Sequence, residues 1–251
     1  MKKRFPYAGA VALSVILFTG LCFPAEQAGD SKRGKLVYER YCLSCHGAQG
    51  DGQGEFADWT TPKPRDFRQG AFKCRSTSTG SLPTDADLER TLKNGLYGTQ
   101  MPQWYPVGPS ARRDVLAYVK SFSKRWSTES PGAPLPIPSE PPSDSASVER
   151  GRALYSQVGC DRCHGERGEG DEPSAHYLKD DWGNPVTMPN LAEEHFKCGE
   201  GAASAYRVLI TGMNGTPMPS FRESLKDGEV WDLAHYVLSL GPSKVRRAPK
   251  Q

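Results

Sequence analysis

Charge of one sign, histidine, methionine and long apolar runs are all in short supply here, and each shortage narrows what the chain can be. The 32 Lys and Arg are nearly matched by 29 Asp and Glu. The small basic excess sits in Met1-Lys2-Lys3-Arg4, so the remainder has no net charge of the kind that gathers nucleic acid, and no nucleic-acid partner is expected. Charge is unevenly spread along that remainder: residues 26–130 are net basic and the rest is net acidic, a dipole that would orient charged partners on encounter. With five His and five Met in all, any site that needs either has few candidates.

The most informative residues present are two copies of one pentad, Cys42-Leu43-Ser44-Cys45-His46 and Cys160-Asp161-Arg162-Cys163-His164. Two cysteines three apart on one helical turn can each form a thioether to a haem vinyl group, and the next histidine is then carried beneath the macrocycle to the iron. The pentads predict two covalently bound haems c held by Cys42, Cys45, His46, Cys160, Cys163 and His164. A zinc knuckle would need four clustered ligands and a thioredoxin-like pair a βαβ setting. Neither demand is met.

The one long apolar run, Ala8 to Phe23, follows the basic head in the manner of an export signal. Residues 1–25 are read as a signal peptide cleaved near residue 25 or 28, with an uncleaved anchor through residues 5–25 as the open alternative. Either way the expected location is the bacterial periplasm, soluble or membrane-anchored at the N-terminus, which agrees with covalent haem attachment outside a reducing cytoplasm.

Residues 127–147 carry six prolines between Pro131 and Pro142. Too few apolar side chains for a core and too few amide donors for regular structure predict an extended linker over the surface, joining two independently packed domains, 26–126 and 148–241, before a basic tail, 242–251. The two halves repeat each other in order. Gly34 to Tyr38 matches Gly151 to Tyr155, Phe72-Lys73-Cys74 matches Phe196-Lys197-Cys198, Leu96 to Pro102 matches Met213 to Pro219, and Ala117 to Ser121 matches His235 to Ser239. Helical periodicity leads into each pentad and returns at about Ala111–Phe122 and Asp227–Leu240. Between them the Gly- and Pro-rich text predicts loops, so the fold class is all-α. After His46 the first half has no other histidine and no methionine but Met101, which leaves Met101 as its strong sixth iron ligand.

Each half resembles a class I cytochrome c domain, and the whole resembles two-haem cytochromes c made by fusing two of them. The marks are the helix entering Cys-x-x-Cys-His, a late Met-Pro and a closing aromatic helix, over residues 30–126 and 146–241. The resemblance implies His46 and His164 as proximal ligands, Met101 and Met218 as distal ones, and helix crossings where Gly34 and Gly151 admit Tyr118 and Tyr236. Alignment of the repeats sets Met218 opposite Met101 and Met213 opposite Leu96, with Met188 as a rival. His176, His195 and His235 are expected at the surface or in hydrogen bonds. Cys74 and Cys198 stand at equivalent positions, either as free buried thiols or as an interdomain disulfide.

A full coordination shell leaves iron no open position for substrate. The expected function is outer-sphere electron transfer between a redox protein donor and acceptor, among them a membrane or periplasmic oxidoreductase, with no catalytic residue. The enzymatic alternative is a diheme cytochrome c peroxidase-like protein. A haem sensor ranks behind both, because no output domain is recognisable.

Overall fold

The computed structural model describes residues 28–193 and 195–241; the expected signal or anchor, 1–25, and the basic tail, 242–251, lie outside the described residues. Among the described residues the chain is helical without strands, with one isolated antiparallel bridge between Lys179 and Pro185. No helix among them is long and apolar enough to cross a membrane. The first lobe holds α1 (Ser31–Tyr41), α2 (Leu43–His46), α3 (Asp85–Asn94), α4 (Pro109–Ser121) and α5 (Arg125–Thr128); the second holds α6 (Ser145–Val158), α7 (Asp161–His164), α8 (Ala202–Thr211) and α9 (Asp227–Ser239).

Local sequence accounts for where these helices begin. Asp30 accepts from the Lys32 and Arg33 amides at the start of α1, Thr84 and Asp87 form a capping box on α3, Pro109 opens α4, and Asp144 accepts from the Ser147 amide on α6. The first and last long helices of each lobe then cross, α1 on α4 and α6 on α9. A Cβ on Gly34 would collide with the Asp114 carbonyl, and one on Gly151 with the Asp232 carbonyl, so glycine is what allows these backbones to meet. Beside each crossing the rings meet edge to face, Tyr38 on Tyr118 at 5.3 Å and Tyr155 on Tyr236 at 5.2 Å. An arginine latches each pair: Arg33 Nε donates to Asp114 Oδ2 and Arg150 Nε to Asp232 Oδ2, both at 2.7 Å. Tyr38, Leu88, Val115 and Val119 build the first core; Tyr155, Tyr206, Ile210, Val230 and Leu233 build the second.

The proline-rich segment is more than a spacer. Leu135 and Ile137 pack against the second core, the Leu135 amide donates to the Ser76 carbonyl of the first lobe at 2.8 Å, and Glu140 Oε1 lies 3.3 Å from His235 Nε2 on α9. Two further ties close the joint. Cys74 and Cys198 form a disulfide, and the buried Arg75 guanidinium of the first lobe donates to the Thr211 and Gly212 carbonyls at the end of α8. Each lobe has its own core, and the lobes are joined in addition by buried polar bonds and a covalent bond.

Candidate haem sites

Both pentads make the same backbone hydrogen bonds. The chain leaves α1 at Cys42 and turns through α2, with the His46 amide donating to the Cys42 carbonyl at 2.9 Å and the Cys45 amide to the same oxygen at 3.2 Å; His164, Cys163 and Cys160 repeat these bonds at 2.9 and 3.2 Å. This turn puts both thiols and the imidazole of each pentad on the wall of one cavity. The next residue reverses the chain through φ of +77° at Gly47 and +78° at Gly165. Tyr38 Oη donates to the Gly47 carbonyl at 2.7 Å and Tyr155 Oη to the Gly165 carbonyl at 2.8 Å, which pins each reversal to the helix crossing.

His46 Nδ1 lies 3.1 Å from the Arg65 carbonyl. With its proton there, Nε2 is left to the cavity as a lone-pair donor. In the second lobe the Pro189 carbonyl acts on the His164 ring in the same sense, at geometry too loose for an ordinary hydrogen bond. The two carbonyls are equivalent, because the Phe67 amide donates to Gly50 and the Leu191 amide to Gly168. Burial pushes both imidazoles below their usual pKa, which favours the neutral, ligating form at neutral pH.

Each cavity is also lined by a methionine on a repeated turn. The Leu96 amide donates to the Met101 carbonyl at 3.1 Å and the Met213 amide to the Met218 carbonyl at 3.1 Å. Thr99 Oγ1 and Thr216 Oγ1 accept from the Met101 and Met218 amides at 3.1 and 3.3 Å. At Gly95 and Gly212, φ of +67° and +62° and the closeness of Pro102 and Pro219 leave no room for a Cβ. Met101 and Met218 thus arrive by the same path, whereas Met188, which also lines the second cavity, directly precedes Pro189, whose carbonyl acts on the His164 ring. Met213 lines the wall like its counterpart Leu96.

The other singled-out residues fall elsewhere. His235 is buried, its Nδ1 2.6 Å from Ser147 Oγ; His195 pairs with Glu200 and meets the Tyr97 ring, and His176 lies in a 3₁₀ turn, Pro173–Tyr177. Sequence reading missed Arg65, whose guanidinium lies 4.3 Å over the Trp182 ring of the other lobe, and Arg75; their partners lie more than a hundred residues away. The residues present fit a covalently attached haem: an apolar cavity in each lobe, lined by two thiols, an imidazole and a thioether and, among the described residues, by no carboxylate.

Fold and site together define a c-type cytochrome with two haem lobes. Residues 31–123 match the cytochrome c family, and residues 146–237 match the family of cytochrome c oxidase, cbb3-type, subunit III. The chain is 24% identical over 211 residues to the cbb3-type cytochrome c oxidase subunit CcoP of Azospirillum brasilense, covering 84% of this chain and 62% of the relative. To subunit FixP of Sinorhizobium medicae it is 26% identical over 219 residues, covering 83% and 60%. The chain therefore spans about three fifths of the length of these curated relatives. A solved chain of the Kuenenia stuttgartiensis reducing HAO-like protein complex Kustc0457/Kustc0458 superposes with a TM-score of 0.83 at 38% identity, over 85% of this chain and 97% of that one. The protein belongs to the two-domain cytochromes c and carries two covalently bound haems c.

Proposed function

We propose that this protein is an exported electron carrier of the bacterial periplasm, working as a subunit or docking partner of an oxidoreductase and performing no bond chemistry of its own. Bound haem supplies one-electron exchange between ferrous and ferric iron. Cys42 and Cys45, with Cys160 and Cys163, would tether the two groups; His46 and His164 would offer Nε2 to iron, and Met101 and Met218 would supply a thioether. A soft thioether as partner to an imidazole would favour ferrous iron more than a second imidazole does, and would hold both midpoints high. Two ligands from the chain on each iron would leave no open position for a substrate, so exchange would be outer-sphere. The observation that carries this reading is a repeated methionine turn lining the same cavity as a repeated pentad.

The Cys74–Cys198 disulfide agrees with export, since such bonds persist outside the reducing cytoplasm. Residence of the 38% identical chain in a protein complex, and the naming of other relatives as oxidase subunits, support a role inside an assembly.

Redox titration of the mature protein, read at the methionine-to-iron charge-transfer band, tests the assignment. Met218→Leu is expected to remove half of that band and Met188→Leu none of it; the reverse result would transfer the ligand role to Met188. The reduced protein is expected to bind little carbon monoxide. Ready binding would favour a peroxidase-like enzyme.

A further inference from the structure

The two haem cavities share a wall. Pro62 and Lys73 line both; Cys74 closes the first, Lys197 and Cys198 the second, and the disulfide joins the two sides. The repeated Phe-Lys-Cys motif, which the pentads and methionine turns leave without a role, therefore falls between the cofactors. Its lysines are in an unusual position. Lys63, which also lines the first cavity, is satisfied by the Ala57 carbonyl at 2.9 Å and Asp58 Oδ1 at 3.0 Å. Among the described residues, Lys73 and Lys197 have no ion pair or hydrogen bond from their ammonium groups, and no Asp or Glu lines either cavity.

Desolvation, reinforced by the neighbouring Arg65 and Lys197 charges, lowers Lys73 to about 7, and burial lowers Lys197. An ammonium taken out of water without a counter-charge is costly, so a chain that puts two at one junction requires an anion there. Thioether formation consumes the vinyl groups of haem and leaves its two propionate carboxylates free. These are the only anions that arrive with the cofactor.

We propose that Lys73 is a shared counter-ion for propionates of both haems, with Lys197 serving the second haem alone, so that the charge state of one haem is felt by the other through this wall. The inference rests on two haems occupying these cavities and is independent of which methionine completes each iron.

The test is spectroelectrochemical titration of full-length holoprotein, with haem stoichiometry and the methionine band measured on each variant. Lys73→Gln is expected to lower both midpoints, because ferric iron then meets one positive charge fewer; Lys197→Gln lowers the second haem's alone, and Lys73→Arg keeps both near their native values. A Lys73→Gln protein with two haems, native methionine bands and only one midpoint moved, or none, overturns the proposal. If Lys73→Gln fails to mature while Lys73→Arg matures normally, the need for a cation at this place is supported. In unmutated protein labelled with ¹⁵N at lysine, one ammonium resonance is expected to shift on reduction of each haem in turn. If every lysine follows at most one haem, the proposal fails. Missing methionine bands in that same unmutated protein would instead count against the axial assignment.

Discussion

In the first lobe the proximal imidazole is stacked: the His46 ring lies 4.4 Å from Phe67, and Phe67 in turn meets Phe72 and Phe122. The equivalent residue in the second lobe is the aliphatic Leu191, His164 lacks a well-formed Nδ1 hydrogen bond, and the cavity is larger, about 370 Å³ against about 160 Å³. Backbone turns, glycines and tyrosine locks are the same in both. The pentads and methionine turns are kept in duplicate while their surroundings differ, and on the proposed ligation those surroundings are what would separate the two potentials.

The sharpest way to break the symmetry is at one ligand. Met101→His is expected to abolish the first haem's methionine band, spare the second's, and lower only the first midpoint by on the order of 100 mV or more, within the roughly 0.8 V that axial ligation spans; Met218→His should do the converse. Next in size is the joint. Replacing both Cys74 and Cys198 by serine should remove about 2–4 kcal/mol of stability, because a long loop of chain is no longer closed in the unfolded state, and calorimetry should show the two lobes melting further apart. A Cβ at either helix crossing comes third: Gly34→Ala or Gly151→Ala should cost about 1–3 kcal/mol by overpacking, lowering the denaturant midpoint of the altered lobe first.

The smallest effect is at the helix starts. α3 carries the buried Asp87 at its third position, closing a capping box with Thr84, whereas α8 follows Gly201 without a side-chain cap. Desolvation raises Asp87, but bonds from the Ser76 amide and Arg90 outweigh it and hold the carboxyl below its usual range. A group depressed in the folded state contributes stability above its unfolded pKa of about 3.9 and loses it as pH falls through the folded value. Asp87→Asn should therefore cost about 1–2 kcal/mol near neutrality, with the difference from the unmutated protein shrinking below about pH 4. Urea titrations at the two pH values check this, and no comparable acid step is expected from α8.

Much of this arrangement is written in short stretches of sequence. A Cys-x-x-Cys-His pentad, a Gly-Thr-x-Met-Pro turn and a glycine four residues before a tyrosine each act within a few residues, and the scarcity of methionine left Met101 without a rival. What escaped the sequence acts over distance. Nothing near Arg75 announces the end of α8 as its partner, and the prolines around Leu135 and Ile137 concealed two side chains that pack. Met188 is a rival because it lines the same cavity as Met218, and what sets Met218 apart is the repeat of the Met101 turn. The disulfide was one of two open readings until the shared wall brought Cys74 and Cys198 together.

Arg75 carries a consequence for ancestry. A helix end normally finds its finishing donors in its own segment of chain, yet α8 takes them from the other copy. The duplicated halves are thus no longer interchangeable modules: separating them would strip the Thr211 carbonyl of its Arg75 and Thr79 donors and leave Arg75 with the Ser78 carbonyl alone.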